Sequence, residues 1–159
     1  MSGTIGFLGK PNLDDWSKIE ILNDDLTELT FNSNELKFHP DYDIFNSIPV
    51  IGQTEDYYII DFINYGHKKF KKSNTDLTFM TWEQYITQVV VAVGFNPDSN
   101  PIKSQPDTDS KTIPYVHDSF YHPIKIQGDW LFINRFEDEC GWIKWRDKDL
   151  LLIDLFYLL

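Results

Sequence analysis

The stretch GDWLFINRFEDECGWIKWR, residues 128–146, holds three of the chain's five tryptophans within nineteen residues and interleaves them with charge. Alternation along an extended chain puts Leu131 and Ile133 on one face and Trp130 and Phe132 on the other; likewise Ile143 with Trp145 opposes Trp142 with Lys144. Apolar residues on both faces imply a barrel wall with something packed outside it. Trp142 and Trp145 therefore do not share one pocket. Trp145, in register with Ile143, is the core candidate, whereas Trp142 sits with Lys144 and Arg146 and stacks on Trp130 at the surface.

Working outward, HPIKIQ (122–127) and the apolar run from Leu150 to Leu159 extend this region into a β-unit over residues 115–159. Upstream, NPDSNPIKSQPDTDSKTIP (96–114) is of another kind: five of the chain's eight prolines lie between Pro97 and Pro123, with Asp, Ser and Asn between them. That composition reads as a linker or long loop and as the domain boundary, open to proteases between Asn96 and Lys111. Residues 1–95 form the remaining, β-rich part. In it SKIEIL (17–22) and LTELTFN (26–32) read as successive strands around Asn23-Asp24-Asp25, IPVIGQTEDYYIIDFI (48–63) as two strands around Gly52-Gln53-Thr54-Glu55-Asp56, and DLTFM (76–80) as another. The lysine-rich HKKFKKS (67–73) is read as a solvated hairpin tip or a lysine-protected edge strand, since it lacks the arginines and glycines of a phosphate or nucleic-acid patch. One helix is predicted over about 81–93: Thr81 and Gln84 make a capping box, and Trp82, Tyr85, Ile86, Val89, Val90 and Val93 recur at helical spacing until Gly94. The β-branched cluster Val89-Val90-Val91 pulls against it.

Two motifs carry a resemblance. Gly128-Asp129-Trp130 with Ile133, a charged turn, then Gly141-Trp142-Ile143-Lys144-Trp145-Arg146 resemble the closing half of bacterial Src-homology-3-like (SH3b) domains. Pro101 to Pro106 resembles the opening segment of such a unit, so the match spans roughly 97–155, and IPVIGQTEDYYIIDF resembles a weaker second copy within 34–95. The resemblance implies a mainly β fold of one or two small SH3-like barrels with one short helix. It also implies a family that binds peptides, cell-wall fragments or neighbouring domains and performs no chemistry of its own.

Charge narrows the partners. The net charge is -11, and residues 1–62 hold 12 acidic side chains against only Lys10, Lys18 and Lys37. Such a surface repels nucleic acid and anionic membranes. The C-terminal run is apolar in nine of ten residues but far shorter than the ~20 needed to span a bilayer, so it is expected to be buried, in its own chain or across a homodimer. No secretory leader is legible at the N-terminus, so the default expectation is a cytoplasmic protein, or an exported one if a leader has been removed.

Catalytic signatures are missing from the sequence. The lone Cys140 follows Glu137-Asp138-Glu139, whose negative potential works against a thiolate nucleophile. His117, Asp118 and His122 fall short of a zinc ligand set and read as ordinary loop residues. The Asp107 stretch offers Thr112 where a calcium loop needs glycine and Asp118 where it needs the long glutamate. Neither metal nor cofactor is expected, and no enzymatic activity.

Two functions fit. The first is a non-catalytic module that binds a protein, a peptide or a peptidoglycan fragment through an aromatic groove of Trp130, Trp142, Tyr115, Tyr121, Lys144 and Arg146. The second is a small acidic immunity or inhibitor protein that docks a basic partner through Asp14, Asp15, Asp24, Asp25 and Glu28. Steep weakening by salt marks the second and not the first.

Overall fold

A computed structural model describes residues 3–10, 16–32, 47–62, 65–136 and 139–157. The chain is mainly β, with one α-helix and several small antiparallel sheets among the described residues. It divides into two compact units, Gly3–Trp82 and Glu83–Leu159. The boundary thus falls at the start of the helix rather than in the proline-rich stretch 96–114.

The N-terminal unit is built on a five-stranded sheet. Its strands are β1 (Gly6–Gly9), β2 (Ser47–Gln53), β3 (Tyr57–Phe62), β4 (Gly66–Lys71) and β5 (Thr78–Thr81), in the order β4-β3-β2-β1-β5. β2 and β3 are the hairpin read at 48–63, and the lysine-rich run is the edge strand β4. Its one aromatic, Phe70, points inward and is buried, while Lys69 Nζ donates to the Asp24 carbonyl at 3.0 Å and Lys71 pairs with Glu20 at 3.1 Å. β1 has no period-2 signature, because all four of its residues are buried between two neighbours. Gly6 is required there: a Cβ on it would fall 2.7 Å from the Phe79 ring of β5 and closer still to the Met80 carbonyl.

The two strands expected at 17–22 and 26–32 are replaced by a 3-10 turn, Trp16–Lys18, and by single bridges from Leu22 to Glu28 and to Lys69. Ile19, Ile21 and Leu22 are all buried. Adjacent inward residues at 21 and 22 break the alternation on which a regular half-buried strand depends. Together with Leu8, Ile48, Val50, Ile60, Phe62, Phe70 and Leu77, Trp16, Ile19 and Ile21 make the core of this unit. Each such side chain contributes about 1.5–3 kcal/mol on burial.

The helix α1 (Trp82–Gln88) starts directly after Thr81, as the capping pattern predicts, but stops short of the predicted Val93. Of the β-branched residues that follow, Val89 still closes the last helical turn on the Tyr85 carbonyl, Val91 N–H donates to the Phe156 carbonyl at 2.8 Å, and Val93 lies in β6 (Ala92–Gly94). The C-terminal unit continues through β7 (His122–Gln127), β8 (Trp130–Asn134) and β9 (Cys140–Lys144), which form a three-stranded meander, β7-β8-β9. Then come the short pairs of β10 (Arg146–Asp147) with β11 (Leu150–Leu151), and of β12 (Asp154–Phe156) with β6. The apolar C-terminal run is therefore used within its own chain: Ile153 and Tyr157 are buried and Tyr85 Oη donates to Tyr157 Oη at 3.2 Å, whereas Leu150 and Phe156 stay exposed. The sheets remain open, and none closes into a barrel among the described residues. No described helix is long and apolar enough to cross a membrane.

The proline-rich stretch is docked onto β9. Lys103 and Trp142 exchange both backbone hydrogen bonds at 2.7 Å, Ile102 is buried, and Ile113 N–H donates to the Ile102 carbonyl at 2.8 Å. Asn100 is buried as well and clips the far end of the strand: its Oδ1 accepts from Lys144 N–H at 3.0 Å and its Nδ2 donates to the Lys144 carbonyl at 2.7 Å. Prolines and polar residues leave few side chains to pack, yet one isoleucine and one asparagine suffice to hold this segment as an added strand.

Candidate functional site

The tryptophan-rich motif divides into a clamp and a face. Gly128 has a φ of 60°, which places the tight β7-β8 turn in the left-handed region that glycine enters without strain. The turn is tied down from β9 and the residues after it. Trp145 Nε1 donates to the Gly128 carbonyl at 2.9 Å, Trp145 N–H donates to the Asp129 carbonyl at 3.0 Å, and Arg146 Nε meets Asp129 Oδ1 at 2.7 Å. Arg146 also lies over the Trp145 ring at 4.6 Å. Trp145 is buried, as its register with Ile143 requires. The Gly-Asp and Trp-Arg pairs at the two ends of the motif thus hold one another, and Arg146 serves the turn.

The face lies on the other side of the meander from Leu131, Ile133 and Ile143, which are fully buried. Register sets Lys125 opposite Phe132 and Phe132 opposite Trp142, with Gln127, Trp130 and Lys144 in the next row. A bulge between Pro123 and Lys125 brings Lys125 onto this side. Phe132 and Trp142 have ring centroids 5.0 Å apart. Lys125 Nζ stands 5.1 Å over Phe132 and 5.4 Å over Trp142, and Lys144 Nζ stands 5.7 Å over Trp130. Trp130 and Phe132 are half-buried, while Trp142, flanked by Lys103 as well, is only 7% exposed. Trp142 is thus a floor to the face more than a free surface.

Tyr115 and Tyr121 stand apart from these residues. They stack on each other at 5.6 Å and both meet the edge of Phe95, while the Tyr121 hydroxyl accepts from Val116 N–H at 3.0 Å. No ring contact links them to Trp130 or Trp142 among the described residues. Tyr121 instead lines a pocket of about 280 Å³ with Ile102, Ile113, Pro114, Val116 and Gly141, with Glu139 and Cys140 beside it. Gly141 opens this space: a Cβ there would lie 3.0 Å from Ile113 Cδ1 and would clash with Ile102 Cγ2. The pocket has no signature in the sequence, because its walls come from 102–116, Tyr121 and 139–141 together.

Of the alternative acidic set, Asp14 and Asp15 lie outside the described residues. Asp24, Asp25 and Glu28 are exposed on and beside a tight turn closed by the bond from Asn23 N–H to the Thr27 carbonyl at 2.8 Å. The Thr27 hydroxyl and backbone N–H both donate to Asp25 Oδ1, and they hold its carboxyl below the usual aspartate range. Leu26, between them in sequence, is exposed and has a φ of 67°.

His117 packs edge-on against Tyr115, and His122 Nδ1 lies 2.7 Å from the Val91 carbonyl. No three His, Cys, Asp or Glu side chains are grouped to hold a metal among the described residues. No family model matches the chain, and neither a curated protein nor a solved structure does.

Proposed function

We propose that the chain is a non-catalytic interaction module of the bacterial SH3-like kind, and that its working surface is the face made by Trp130, Phe132, Trp142, Lys125 and Lys144. The observation that carries this reading is the stacking of two lysine ammonium groups over three aromatic rings on one side of a three-stranded sheet. Aromatic side chains are what protein and peptide interfaces concentrate at their centres, and here three of them share one side of the sheet with two lysines that can pair with a ligand's charge. The motif's other conspicuous residues are already engaged: Trp145 and Arg146 secure the turn, which leaves Trp130 and Lys144 for a ligand. Peptides and peptidoglycan fragments are the two ligand classes to test.

The test is a binding screen of the full chain against a peptide panel and soluble peptidoglycan fragments, repeated with Trp130→Ala. A ligand whose affinity falls at least about tenfold in the variant, at unchanged folding, supports the reading; that loss corresponds to about 1.4 kcal/mol. Ligands bound equally by both proteins place the working surface elsewhere.

The second reading, a small acidic protein that docks a basic partner, draws on the exposed turn of Asp24, Asp25 and Glu28. Its mark is loss of binding in Asp24→Lys and Glu28→Lys with no response to Trp130→Ala.

A further inference from the structure

We infer that the ligand of the aromatic face is an extended acidic peptide segment, with carboxylates at positions i and i+4 bound by Lys125 and Lys144. This rests on the reading of that face as the working surface. The first reason is charge. The chain carries a net -11, yet by register this side of the meander presents Lys125 and Lys144 and no carboxylate across the two rows that contain the aromatics. Neither lysine has an ion-pair partner among the described residues, whereas Arg146 on the flank is already neutralised by Asp129. Two unpaired cations held together in an acidic protein form a local site for anionic groups.

Geometry gives the second reason. Lys125 on β7 and Lys144 on β9 are two strand spacings apart laterally and two residues apart along the strands, which sets their Cα atoms roughly 12 Å apart. An extended peptide repeats side chains on one side every two residues, so groups at i and i+4 span about 13 Å. The residue at i+2 then falls over Phe132 and Trp130, where an apolar or aromatic side chain is accommodated.

The rings themselves separate peptide from glycan. A sugar stacks on a bare aromatic face, but here the lysine ammonium groups already stand 5.1 to 5.7 Å above the ring centroids. What the face offers outward is therefore ammonium groups, with the rings beneath holding the lysine stems in place. A carboxylate can be added to such a pair without displacing the lysine from its ring.

The experiment compares three probes on the intact chain by calorimetry at low and at physiological salt. They are a twelve-residue peptide with Glu at i and i+4 and Phe at i+2, its twin with Gln for both Glu, and a soluble muramyl peptide. The acidic peptide is expected to bind at least about tenfold more tightly than its Gln twin, to weaken with added salt, and to lose that preference in Lys125→Gln/Lys144→Gln. This double variant leaves the buried side of the sheet intact, and an unchanged thermal midpoint confirms its fold. Equal binding of the Glu and Gln peptides, or no binding of either, overturns the inference. Tighter binding of the muramyl peptide that is lost in Trp130→Ala also overturns it, while leaving the face as the working surface. Binding of any probe that ignores both Trp130→Ala and the lysine variant removes the underlying reading too. Self-association of the chain that disappears in the lysine variant would make a second copy the occupant and overturn the inference as well.

Discussion

Three tryptophans in one short motif have three different jobs, and single residues decide which. Trp145 is buried and its indole nitrogen holds the Gly128 carbonyl, so its replacement removes both packing and a turn contact. Trp145→Ala should cost about 3–5 kcal/mol, the range for truncating a buried large aromatic. Trp130 is half-buried and carries the ammonium of Lys144 over its ring, so Trp130→Ala should cost about 1–2 kcal/mol. Denaturant midpoints of the two variants, at equal slopes, check this order; equal losses would make Trp130 part of the core. Alternation alone separated Trp145 from Trp142, because period 2 is a property of any strand. It did not show that Trp142 is covered, since Lys103, which bridges to it, and Lys125, whose ammonium stands over its ring, come from distant positions in the sequence.

At the scale of elements, the proline-rich stretch 96–114 departs most from its composition. Asn100, Ile102 and Lys103 fasten it to β9, and the approach is close because Gly141 has no Cβ. Gly141→Ala should destabilise the protein by about 1–3 kcal/mol through overpacking against Ile102, seen as a lower thermal midpoint. Limited proteolysis of the intact protein should spare Ser99–Ser104 and, if it cuts this stretch, cut at the exposed Asp107–Asp109 tip. Rapid cleavage next to Ile102 would mean that the segment leaves β9 readily. The β2-β3 hairpin, the edge strand β4 and the meander β7-β8-β9 were legible because each is local and alternating. β1 and the added strand at Lys103 were not, since a fully buried four-residue strand and a single bridged residue have no periodicity to read. The helix ends where the β-branched run Val89 to Val91 begins, and by Val91 the backbone already bonds to the Phe156 carbonyl instead of continuing the helix.

For the whole molecule, the two units carry unlike surfaces. The N-terminal unit has an exposed acidic turn whose lysine neighbours on β4 are partly engaged with it, as Lys69 is with the Asp24 carbonyl. The C-terminal unit has a sheet face where lysines stand over aromatics. The most direct test follows the five tryptophan indole signals in a nitrogen-proton correlation spectrum while the acidic Glu peptide is titrated into the full chain. If this face binds the peptide, the Trp130 indole signal moves saturably together with the backbone amides of Lys125 and Lys144, while the Trp145 indole, bonded to Gly128, stays in place. Movement confined to signals of the N-terminal unit, among them the Trp82 indole bonded to the Thr4 carbonyl, with Trp130 unmoved, would contradict it.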